Sequence, residues 1–496
     1  MRRSHMRRRG FLGRLAATAA GPWVVSASAL GLNGQVSPSN RVTLALIGAG
    51  GKGVGGMRNF MGHADCQVLA VCDPYEKRRE GARQLVEKHY ARDKAAGQYK
   101  GCDAYNDFRE VTPRGDIDAV LVASTEQWHV LHSLSAIRNG KDVYCEKPLG
   151  RSVNECSTLV REVNRYARVF QHGTQLRSMR GTRFACELVR NGRIGKLHTV
   201  RIGSPPDGVT GNHPTIPVPP GFDYEMWLGP ARWAPYCAPR CVTPGWYFIS
   251  DYAPSGFVAE YAVHDMDIAM EGMGPLFSSP VTIEGRANYP ADGLFDTPVT
   301  YRVEFTFASG VKLIETDAGQ QRHGVLFEGS EGSVFTRGGV EATPADLLRE
   351  TIGPREVHLY ESIQQERNFL DCQVAPQDHL PCGGGPPRHL DQPHGGHRHA
   401  TPEKTRLGFR AGRGAQRRRG QPLPIRADAR AVAPVAARAD NLPTAATWRA
   451  MRPRGGWESG LPYAGVTVRW RAGSLLNGRS LGHSRPFPLD YTAVRL

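Results

Sequence analysis

A glycine-rich turn that directly follows an apolar run constrains this chain more than any other feature. Residues 41–48 read RVTLALIG, and a G-x-G-x-x-G spacing runs from Gly48 through Gly50 to Gly53. In such a turn the first glycine allows the tight bend, the second lets the backbone approach a pyrophosphate, and the third packs a helix against the strand. The helix N-terminus then faces the phosphates. The pattern predicts that Gly48, Gly50 and Gly53 bind a dinucleotide cofactor.

A second apolar run supplies the context that this motif requires. The stretch CQVLAVCD ends in Asp73, so a second strand follows the glycine turn and its helix. A carboxylate at that strand end accepts hydrogen bonds from a ribose hydroxyl and repels a 2′-phosphate, which favours NAD over NADP. The basic residues Lys77, Arg78 and Arg79 follow closely and leave NADP open.

Strand and helix patterns keep alternating as far as residue 175. Buried-strand patterns occupy residues 117–124, 142–146 and 169–175, and a helical pattern occupies residues 153–168. This alternation predicts an α/β fold with a doubly wound parallel sheet, the Rossmann arrangement, over residues 41–175.

The stretch DVYCEKPLG, residues 142–150, carries the strongest candidate for chemistry. An isolated E-K-P is most often a strand-end lysine in solvent. Here Lys147 stands at the C-terminal end of a predicted parallel strand, where open α/β sheets bind their ligands. From that position it can reach both a nicotinamide ribose and a substrate hydroxyl.

A different pattern begins after residue 175 and predicts a second domain, residues 176–372. Residues 196–204 and four later segments, VTIEGRANY, TYRVEFTF, VKLIETDA and VLFEGSEGSVF, have strand patterns separated by turn residues. We expect an α+β domain with an open, mainly antiparallel sheet, one face of which covers the nucleotide domain. The open sheet also offers a surface for a homo-oligomer.

Residues 256–272, GFVAEYAVHDMDIAMEG, hold a second candidate for chemistry. On a helix Glu260 and His264 share a face because they are four residues apart, and Asp267 follows three residues later. A carboxylate can orient an imidazole, and a neutral imidazole can accept a hydroxyl proton. A single helical histidine is more often structural, so the residues alone leave both roles open. The same three side chains could ligate a metal, but a lysine mechanism needs none.

Charge and cysteine spacing bear on partners and compartment. The net charge of +16 divides into +6 for residues 1–29, −3 for residues 30–372 and +13 for residues 373–496. The central part is near neutral, so the basic ends give no argument for nucleic-acid binding. The ten cysteines form no C-x-x-C pair, which argues against a zinc site and a redox pair. Cys237 and Cys241 could form a disulfide in an oxidising compartment.

The first 29 residues have the pattern of a targeting segment. Arg7, Arg8 and Arg9 precede Gly-Phe-Leu, a mildly apolar run follows, and residues 27–29 form an A-x-A cleavage site. The run is too short and too rich in Ala and Gly for a stable membrane span. We predict a signal peptide over residues 1–29 and export to the periplasm by the twin-arginine translocation machinery. The alternative is a basic, disordered start.

Together these stretches resemble the Gfo/Idh/MocA oxidoreductases, the family of glucose-fructose oxidoreductase and inositol dehydrogenases. The matching segments, spread over residues 41–372, are ALIGAGGKG, VLAVCDP, the STEQWH loop, GKDVYCEKPLG, GTQLRS and ACELVRNGRIGK. The resemblance implies that Glu146 and Lys147 line the nicotinamide end, that Lys147 binds the reacting hydroxyl, and that His264 is the general base. The other residues that we assign to the site are Thr125 and His129 beside the cofactor and Gln175, Arg177 and Asp267 at the substrate, with Asp267 either structural or substrate-binding.

Two positions depart from the family pattern. Glu126 stands where the loop usually has proline, and Glu260 stands where the first acid of the helix is usually aspartate. The proline change bears on the geometry of the loop. We keep Glu260 among the catalytic residues, although its longer side chain leaves its role open.

The resemblance implies an NAD(P)-dependent oxidoreductase that transfers hydride between a nicotinamide and a hydroxyl carbon of a sugar, polyol or related compound. A periplasm lacks a free nicotinamide pool, so we expect the cofactor to be held tightly. Two alternatives share the fold. One is a glycosidase that oxidises its sugar, eliminates and reduces it back on one NAD, and the other is a non-catalytic nucleotide-binding relative.

The family pattern ends with a helical segment, residues 357–372. Residues 373–496 are rich in Arg, Pro, Gly, Ala and His, a composition typical of a disordered tail. We favour a shifted reading frame, because permitted codons for residues 378–400, read one base forward, encode a string that resembles the family's next helix. The same frame allows a stop near residues 428–435. We predict that residues from about 378 onward lack a stable packed fold.

Overall fold

Short runs of Val, Leu, Ile and Ala form the central sheet of the first domain. The computed structural model describes residue 37, residues 40–279 and 281–374, and the strand Val466–Trp470, all within one compact unit. The strands of the first sheet are β1 (Val42–Ile47), β2 (Cys66–Cys72), β3 (Asp103–Tyr105), β4 (Ala119–Val122), β5 (Asp142–Cys145) and β6 (Phe170–His172). All pairs are parallel, in the order β3-β2-β1-β4-β5-β6.

Helices cover both faces of this sheet. They are α1 (Gly51–Met61), α2 (Glu76–His89), α3 (Ala91–Ala95), α4 (Phe108–Val111), α5 (Glu126–Arg138) and α6 (Val153–Tyr166). Phe60 of α1 and Val86 of α2 lie in one apolar core, and Ile137 of α5 and Leu159 of α6 lie in another. The predicted doubly wound sheet is confirmed. Its order reverses between β1 and β4, and such a switch point opens a ligand crevice at the C-terminal edge of the strands.

The second domain is built on a larger, mixed sheet. Its strands are β7 (Leu197–Ser204), β8 (Val281–Asn288), β9 (Thr300–Phe307), β10 (Lys312–Asp317), β11 (Gly324–Gly329), β12 (Ser333–Arg337), β13 (Gly339–Thr343) and β14 (Val466–Trp470). Their order is β13-β12-β11-β7-β10-β9-β8-β14. Only two of the described pairs, β7 with β10 and β8 with β14, are parallel. The predicted open, mainly antiparallel sheet is therefore confirmed.

Five α-helices belong to the later part of the described chain: α7 (Arg180–Arg190), α8 (Tyr224–Leu228), α9 (Phe257–Glu260), α10 (Ala262–Met273) and α11 (Gln365–Val374). Leu188 of α7 and Ile268 of α10 share an apolar core with Val200 and Phe327 of the second sheet. This packing fixes α10, and with it His264, over the sheet.

Two strand and helix predictions for the second domain are wrong in detail. The segment VLFEGSEGSVF forms two strands, because Gly329 N–H donates to the Gly332 carbonyl oxygen at 2.9 Å and closes a hairpin. The helix on which Glu260 and His264 were expected to share a face breaks at Tyr261 into α9 and α10. Glu260 and His264 therefore lie on different helices, and their shared face on one helix does not exist.

The last described helix contributes to the first domain, although the sequence places it at the end of the second. Phe369 of α11 packs edge-on against Tyr144, with ring centroids 5.9 Å apart. Arg367 donates to both carboxylate oxygens of Asp65 at 2.7 Å. The helix starts at Gln365 instead of residue 357. Backbone N–H groups in the segment before it donate hydrogen bonds to a side chain of α7 and to the side chain of the residue that follows α7.

Two predictions fall mainly outside the described residues. They are the signal peptide, residues 1–29, and the frameshifted tail, residues 373–496, of which only the end of α11 and strand β14 are described. Across the described ranges, none of the helices combines the length and apolar character that a membrane span requires.

Candidate active site

The glycine turn has the close backbone contacts that its spacing predicts. Gly48 adopts a φ of +96°, and a Cβ there would lie 2.5 Å from the carbonyl carbon of Ala123. A Cβ on Gly53 would lie 2.0 Å from the Gly48 oxygen, whereas one on Gly50 would meet nothing within 4 Å. No side chain caps α1, which starts beside Gly50. The open space and the bare helix N-terminus fit the pyrophosphate of a dinucleotide.

Asp73 braces this turn from the end of β2. Its carboxylate accepts hydrogen bonds from the backbone N–H groups of Ala49 and Tyr75, both at 2.8 Å. Burial raises the pKa of Asp73, and the Tyr75 N–H and the Arg78 charge oppose that rise. Each oxygen of a carboxylate can accept more than one hydrogen bond. The bracing contacts therefore leave the predicted role in binding a ribose hydroxyl open.

Glu146 lies buried at the C-terminal end of β5, beside the glycine turn. Its Oε1 lies 3.3 Å from Nζ of Lys52 and accepts a hydrogen bond from Nε2 of Gln175 at 3.0 Å. Its Oε2 is buried without a hydrogen-bond partner among the described residues. Burial raises the pKa of Glu146, and the Lys52 ammonium opposes the rise. A buried oxygen without a partner is what a ligand-binding carboxylate presents before its ligand arrives.

Lys147 connects the two domains. Its ammonium donates to Oε2 of Glu260 at 3.0 Å and also to the Glu260 backbone carbonyl oxygen. The rings of Tyr247 and Tyr261 lie 5.6 and 5.7 Å from Nζ, within cation–π range. The Lys147 side chain is 12% exposed. A cation so sheltered from water can stabilise negative charge that develops on a substrate oxygen.

A second buried carboxyl group lies near Glu260. Glu126, the first residue of α5, is close enough for the charges of the two groups to affect each other, and the two residues are 3% and 1% exposed. Burial raises the pKa of Glu260 to about 7, against the opposing charge of Lys147. Burial, followed by the Glu260 charge, raises the pKa of Glu126 well above its usual range. Both positions that depart from the family pattern thus lie near each other.

Two half-buried histidines lie close enough to Lys147 to be affected by its charge. Burial, with Lys147 and Arg337, lowers the pKa of His264 to about 3. Burial lowers the pKa of His172, at the end of β6, to about 4, and the Asp267 charge opposes that fall. Among the described residues, His264 Nδ1 and His172 Nε2 have no hydrogen-bond partner. Both rings are therefore neutral near pH 7 and able to bond a ligand.

Arg177 and Asp267 bind each other. The guanidinium donates to both Asp267 oxygens, at 2.6 and 2.7 Å, and its Nη1 also reaches Glu271 at 3.4 Å. The structure therefore brings Gln175 to Glu146, but it engages Arg177 and Asp267 in an ion pair of their own.

Thr125 and His129 lie at the start of α5. Thr125 is the N-cap residue and makes no side-chain capping bond. The ring nitrogens of His129 lie 2.6 Å from the Pro148 carbonyl oxygen and 3.0 Å from the Ser124 carbonyl oxygen. Burial lowers the pKa of His129. The ring ties the loop after β4 to the loop that follows Lys147, so it holds that loop in place.

The structure bears on two possibilities that the sequence left open, a disulfide and a metal site. Cys237 and Cys241 are free thiols, so the disulfide between them is not formed. Within the ranges that the structure describes, no three His, Cys, Asp or Glu side chains converge as a metal site.

Three residues of the site were not assigned from the sequence as binding or catalytic groups. His172 could have been assigned from the sequence, because it ends the strand next to β5 and therefore lies at the same ligand-binding edge of the sheet. Lys52 lies inside the glycine motif itself. Glu126 was noted in the sequence only as a departure from the family pattern. The carboxyl group near it belongs to the second domain, and no local pattern predicts that the two lie together.

Comparison with protein families identifies the class. Residues 42–174 match the NAD-binding Rossmann domain of the Gfo/Idh/MocA oxidoreductase family, and residues 208–369 match its C-terminal alpha/beta domain. The two matches cover 133 and 162 residues, more than half of the 496. The chain belongs to this family of NAD-binding oxidoreductases.

Curated relatives match about a quarter to a third of this chain. A 2,7-anhydro-N-acetylneuraminate hydratase of Mediterraneibacter gnavus is 30% identical over 130 residues, 26% of this chain and 35% of that protein. An alpha-N-acetylgalactosaminidase of Shewanella oneidensis is 26% identical over 165 residues, 33% of this chain and 35% of that protein. The chain therefore spans about a third of the length of these relatives. Among solved structures, a levoglucosan dehydrogenase with NADH and L-sorbose is 17% identical, covers 62% of this chain and 74% of its own, and has a TM-score of 0.44.

Proposed function

We propose that the chain is an NAD-dependent oxidoreductase acting on a hydroxyl carbon of a sugar, polyol or related compound. The observation that carries the proposal is the position of Lys147, a sheltered cation at the C-terminal edge of the parallel sheet. Glu146 presents an unpartnered buried oxygen beside it, and the glycine turn lies within reach of the Lys52–Glu146 pair. Family membership supplies the cofactor type.

In this proposal each group of side chains has a separate role. Gly48, Gly50, Gly53 and Asp73 would hold the dinucleotide, and Glu146 and Thr125 would lie at its nicotinamide end. When bound, the nicotinamide supplies the acceptor for a hydride. Lys147 positions the substrate oxygen and stabilises its developing negative charge. The neutral His264 accepts a hydrogen bond from the hydroxyl at Nδ1, the position from which a general base acts.

The finer assignments extend this proposal. The Asp73 carboxylate favours NAD, and NADP is the alternative because Arg78 lies near. The signal-like N-terminus supports export by the twin-arginine pathway to the periplasm, where a tightly held cofactor would be recycled in place. The arginine-rich stretch after residue 372 supports a shifted reading frame. The open face of the second sheet is the surface proposed for a homo-oligomer.

Cofactor content and substrate range test the proposal. Purified protein is expected to release NAD on denaturation, or to bind added NADH with a saturable change in nicotinamide fluorescence. A panel of sugars and polyols is then screened for cofactor reduction. Protein that arrives without nucleotide and binds neither NAD nor NADP would refute the proposal.

A second function is worth testing because of the names of the relatives. A hydratase and glycosyl hydrolase family 109 proteins are among the relatives that match part of this chain. In a redox-neutral glycosidase, the same site would oxidise a sugar carbon, allow elimination, and return the hydride. Release of a sugar from an aryl glycoside without net NADH would favour this function, whereas net NADH favours the dehydrogenase.

A non-catalytic nucleotide-binding role is the remaining alternative. It requires that Lys147 and His264 have no chemical task. Lys147→Ala with every measurable function intact would favour it.

A further inference from the structure

A segment of the second domain lies along the loop where the first domain is expected to hold the adenosine ribose of its cofactor. This segment, residues 221–229, is called the strap here and contains α8. Phe222 of the strap forms an antiparallel bridge with Tyr75, and the two ring centroids lie 5.0 Å apart. Tyr75 follows closely after Asp73, the predicted ribose ligand. The strap therefore runs beside the backbone that leaves the ribose site.

Two backbone hydrogen bonds extend this pairing. The Glu76 N–H donates to the Gly221 carbonyl oxygen at 2.8 Å. The Asp223 N–H donates to the Pro74 carbonyl oxygen at 2.9 Å. Gly221 has a φ of +73°, and a Cβ there would lie 2.6 Å from Oε2 of Glu76. The strap thus approaches the loop after β2 so closely that only glycine fits this position without strain.

The strap is also fastened to the next two loops at the same edge of the sheet. Asn106, which follows β3, donates through Nδ2 to Oδ2 of Asp223 at 2.8 Å. At the start of α5, Gln127 Nε2 and Trp128 Nε1 both donate to one strap carbonyl oxygen, that of Trp227, at 3.3 and 3.1 Å. The strap therefore contacts the chain after β2, β3 and β4, at the edge where a dinucleotide crevice opens. It forms an outer wall beside the ribose site.

The arginines that could hold a 2′-phosphate are directed to other partners. NADP carries this phosphate on the ribose hydroxyl that Asp73 is expected to bind, and an arginine nearby accommodates it in NADP-binding proteins. Arg78 instead donates to the carbonyl oxygen of Cys241 at 3.4 Å, and Arg79 donates to that of Asp73 at 2.8 Å. Of the three basic residues at 77–79, only Lys77, which is exposed on α2, has no hydrogen-bond partner in the described part of the chain.

The charges beside this loop also oppose a phosphate. Asp73 ends β2, and Glu76 and Asp223 bring one carboxyl group each from the two sides of the strap pairing. Like charges placed together weaken binding.

We propose that the strap is a specificity determinant of the cofactor site, which closes the space outside the adenosine ribose and so excludes a nucleotide with a 2′-phosphate. This inference rests on the proposed function, whose cofactor it restricts to NAD. The carboxylate of Asp73 repels the phosphate, and the strap leaves it no room and no free arginine. Removal of the Asp73 charge alone is therefore not enough to admit NADP.

Binding of NADH and NADPH to the full chain, followed by nicotinamide fluorescence after dialysis, tests the strap. The wild type is expected to bind NADH about 100-fold or more tightly than NADPH. In Asp73→Asn the preference should stay above about tenfold, because the strap remains in place. Asp73→Asn combined with Gly221→Val, which pushes the strap away from Glu76, should bring the two dissociation constants within about threefold of each other. Gly221→Ala adds the same Cβ with less bulk and replaces the valine variant if that variant does not fold.

The ratio of the two dissociation constants separates selectivity from general damage, because a loosened fold weakens both nucleotides alike. Glu225→Gln, an exposed position on α8, removes one charge from the strap and should leave the ratio unchanged. Equal binding of NADH and NADPH by the wild type or by Asp73→Asn would overturn the role of the strap alone. So would a tenfold preference that persists after the strap is displaced. A wild type that binds neither nucleotide refutes the proposed function, and this selectivity with it.

Discussion

Two clusters on neighbouring helices contain the same charges but differ in how completely those charges are paired. In the first, Arg177 meets Asp267 with two short hydrogen bonds, and Glu271 lies at its edge. In the second, Lys147 meets Glu260 with one carboxylate contact, and Glu126 lies behind it. Each cluster therefore has one cation and two carboxyl groups, and each is largely buried.

The difference lies in what remains unsatisfied. A bidentate guanidinium occupies both Asp267 oxygens, so the first cluster is complete without a ligand. The ammonium of Lys147 is a point charge that leaves a buried oxygen of Glu260 without a donor among the described residues. Buried groups without partners destabilise the fold, so they persist where another task maintains them. From this comparison we propose that the first cluster serves stability and the second serves chemistry.

The largest expected effect follows from removing the cation of the second cluster. Lys147→Met should lower kcat/KM by about 10³-fold, because the substrate oxygen loses the group that stabilises its charge. Binding of NAD should persist, since the glycine turn and Asp73 are untouched. The matched control is Lys88→Met, an exposed lysine of α2. Turnover within tenfold of the wild type in Lys147→Met would break the comparison, because the unsatisfied cluster would then have no chemical task.

The next effect concerns the glycine turn that both candidate reactions require. Gly53→Ala places a Cβ 2.0 Å from the Gly48 oxygen, so the backbone must shift. We expect a loss of about 3 kcal/mol in the free energy of unfolding and loss of NAD binding. Gly55→Ala on the same helix meets nothing within 4 Å and should stabilise by about 0.5–1 kcal/mol. Urea unfolding and NAD titration of both variants measure the two effects, and equal stabilities would contradict the close contact.

Local patterns in the sequence were enough to predict the first domain and its glycine turn. The glycine spacing predicts the contacts of Gly48 and Gly53 because the turn itself brings those backbones together. The alternation of strands and helices likewise predicts the parallel sheet. Lys147 was found because strand ends in such sheets meet at one edge.

The features of the site that the sequence did not predict depend on contacts between residues far apart in the chain. Glu126 and Glu260 are 134 positions apart, so no periodicity links them. Helical spacing suggested a shared face for Glu260 and His264, but the break at Tyr261 follows from packing that the pattern does not record. Arg177 was expected at the substrate and Asp267 either there or in a structural role, and the structure pairs them across 90 positions, a contact that no local spacing indicates. Ion pairing between distant segments was the information that the sequence lacked.

Breaking the complete cluster should affect stability before chemistry. Arg177→Met leaves Asp267 without its guanidinium in a mostly buried position. Because the Arg177 side chain is 25% exposed, we expect a loss of about 2–3 kcal/mol, below the range for a fully buried pair. Arg109→Met removes a largely exposed pair with Asp107 and should change stability by about 1 kcal/mol or less. Denaturant unfolding measures both. A stable Arg177→Met with lost turnover would reverse the assignment of the two clusters.

The smallest effect is the pH dependence that the second cluster gives to stability. The folded-state pKa of Glu260, raised to about 7, lies above the value of about 4.3 expected in the unfolded chain. The folded protein therefore binds the proton more tightly, so this contribution is complete below about pH 4.3 and is lost as pH rises through about 7. Between about pH 5 and pH 8 the wild type should lose at least about 1 kcal/mol relative to Glu260→Gln, or about 2–4 °C in Tm. Glu315 and Asp207, whose pKa values burial raises to about 8 and about 6, are present in both proteins, so their effects cancel in the difference.

Thermal melts of the wild type and Glu260→Gln across this pH range measure the difference in stability, with Glu225→Gln as control. Parallel pH curves for the wild type and Glu260→Gln would show that the carboxyl pair holds no proton in the folded state.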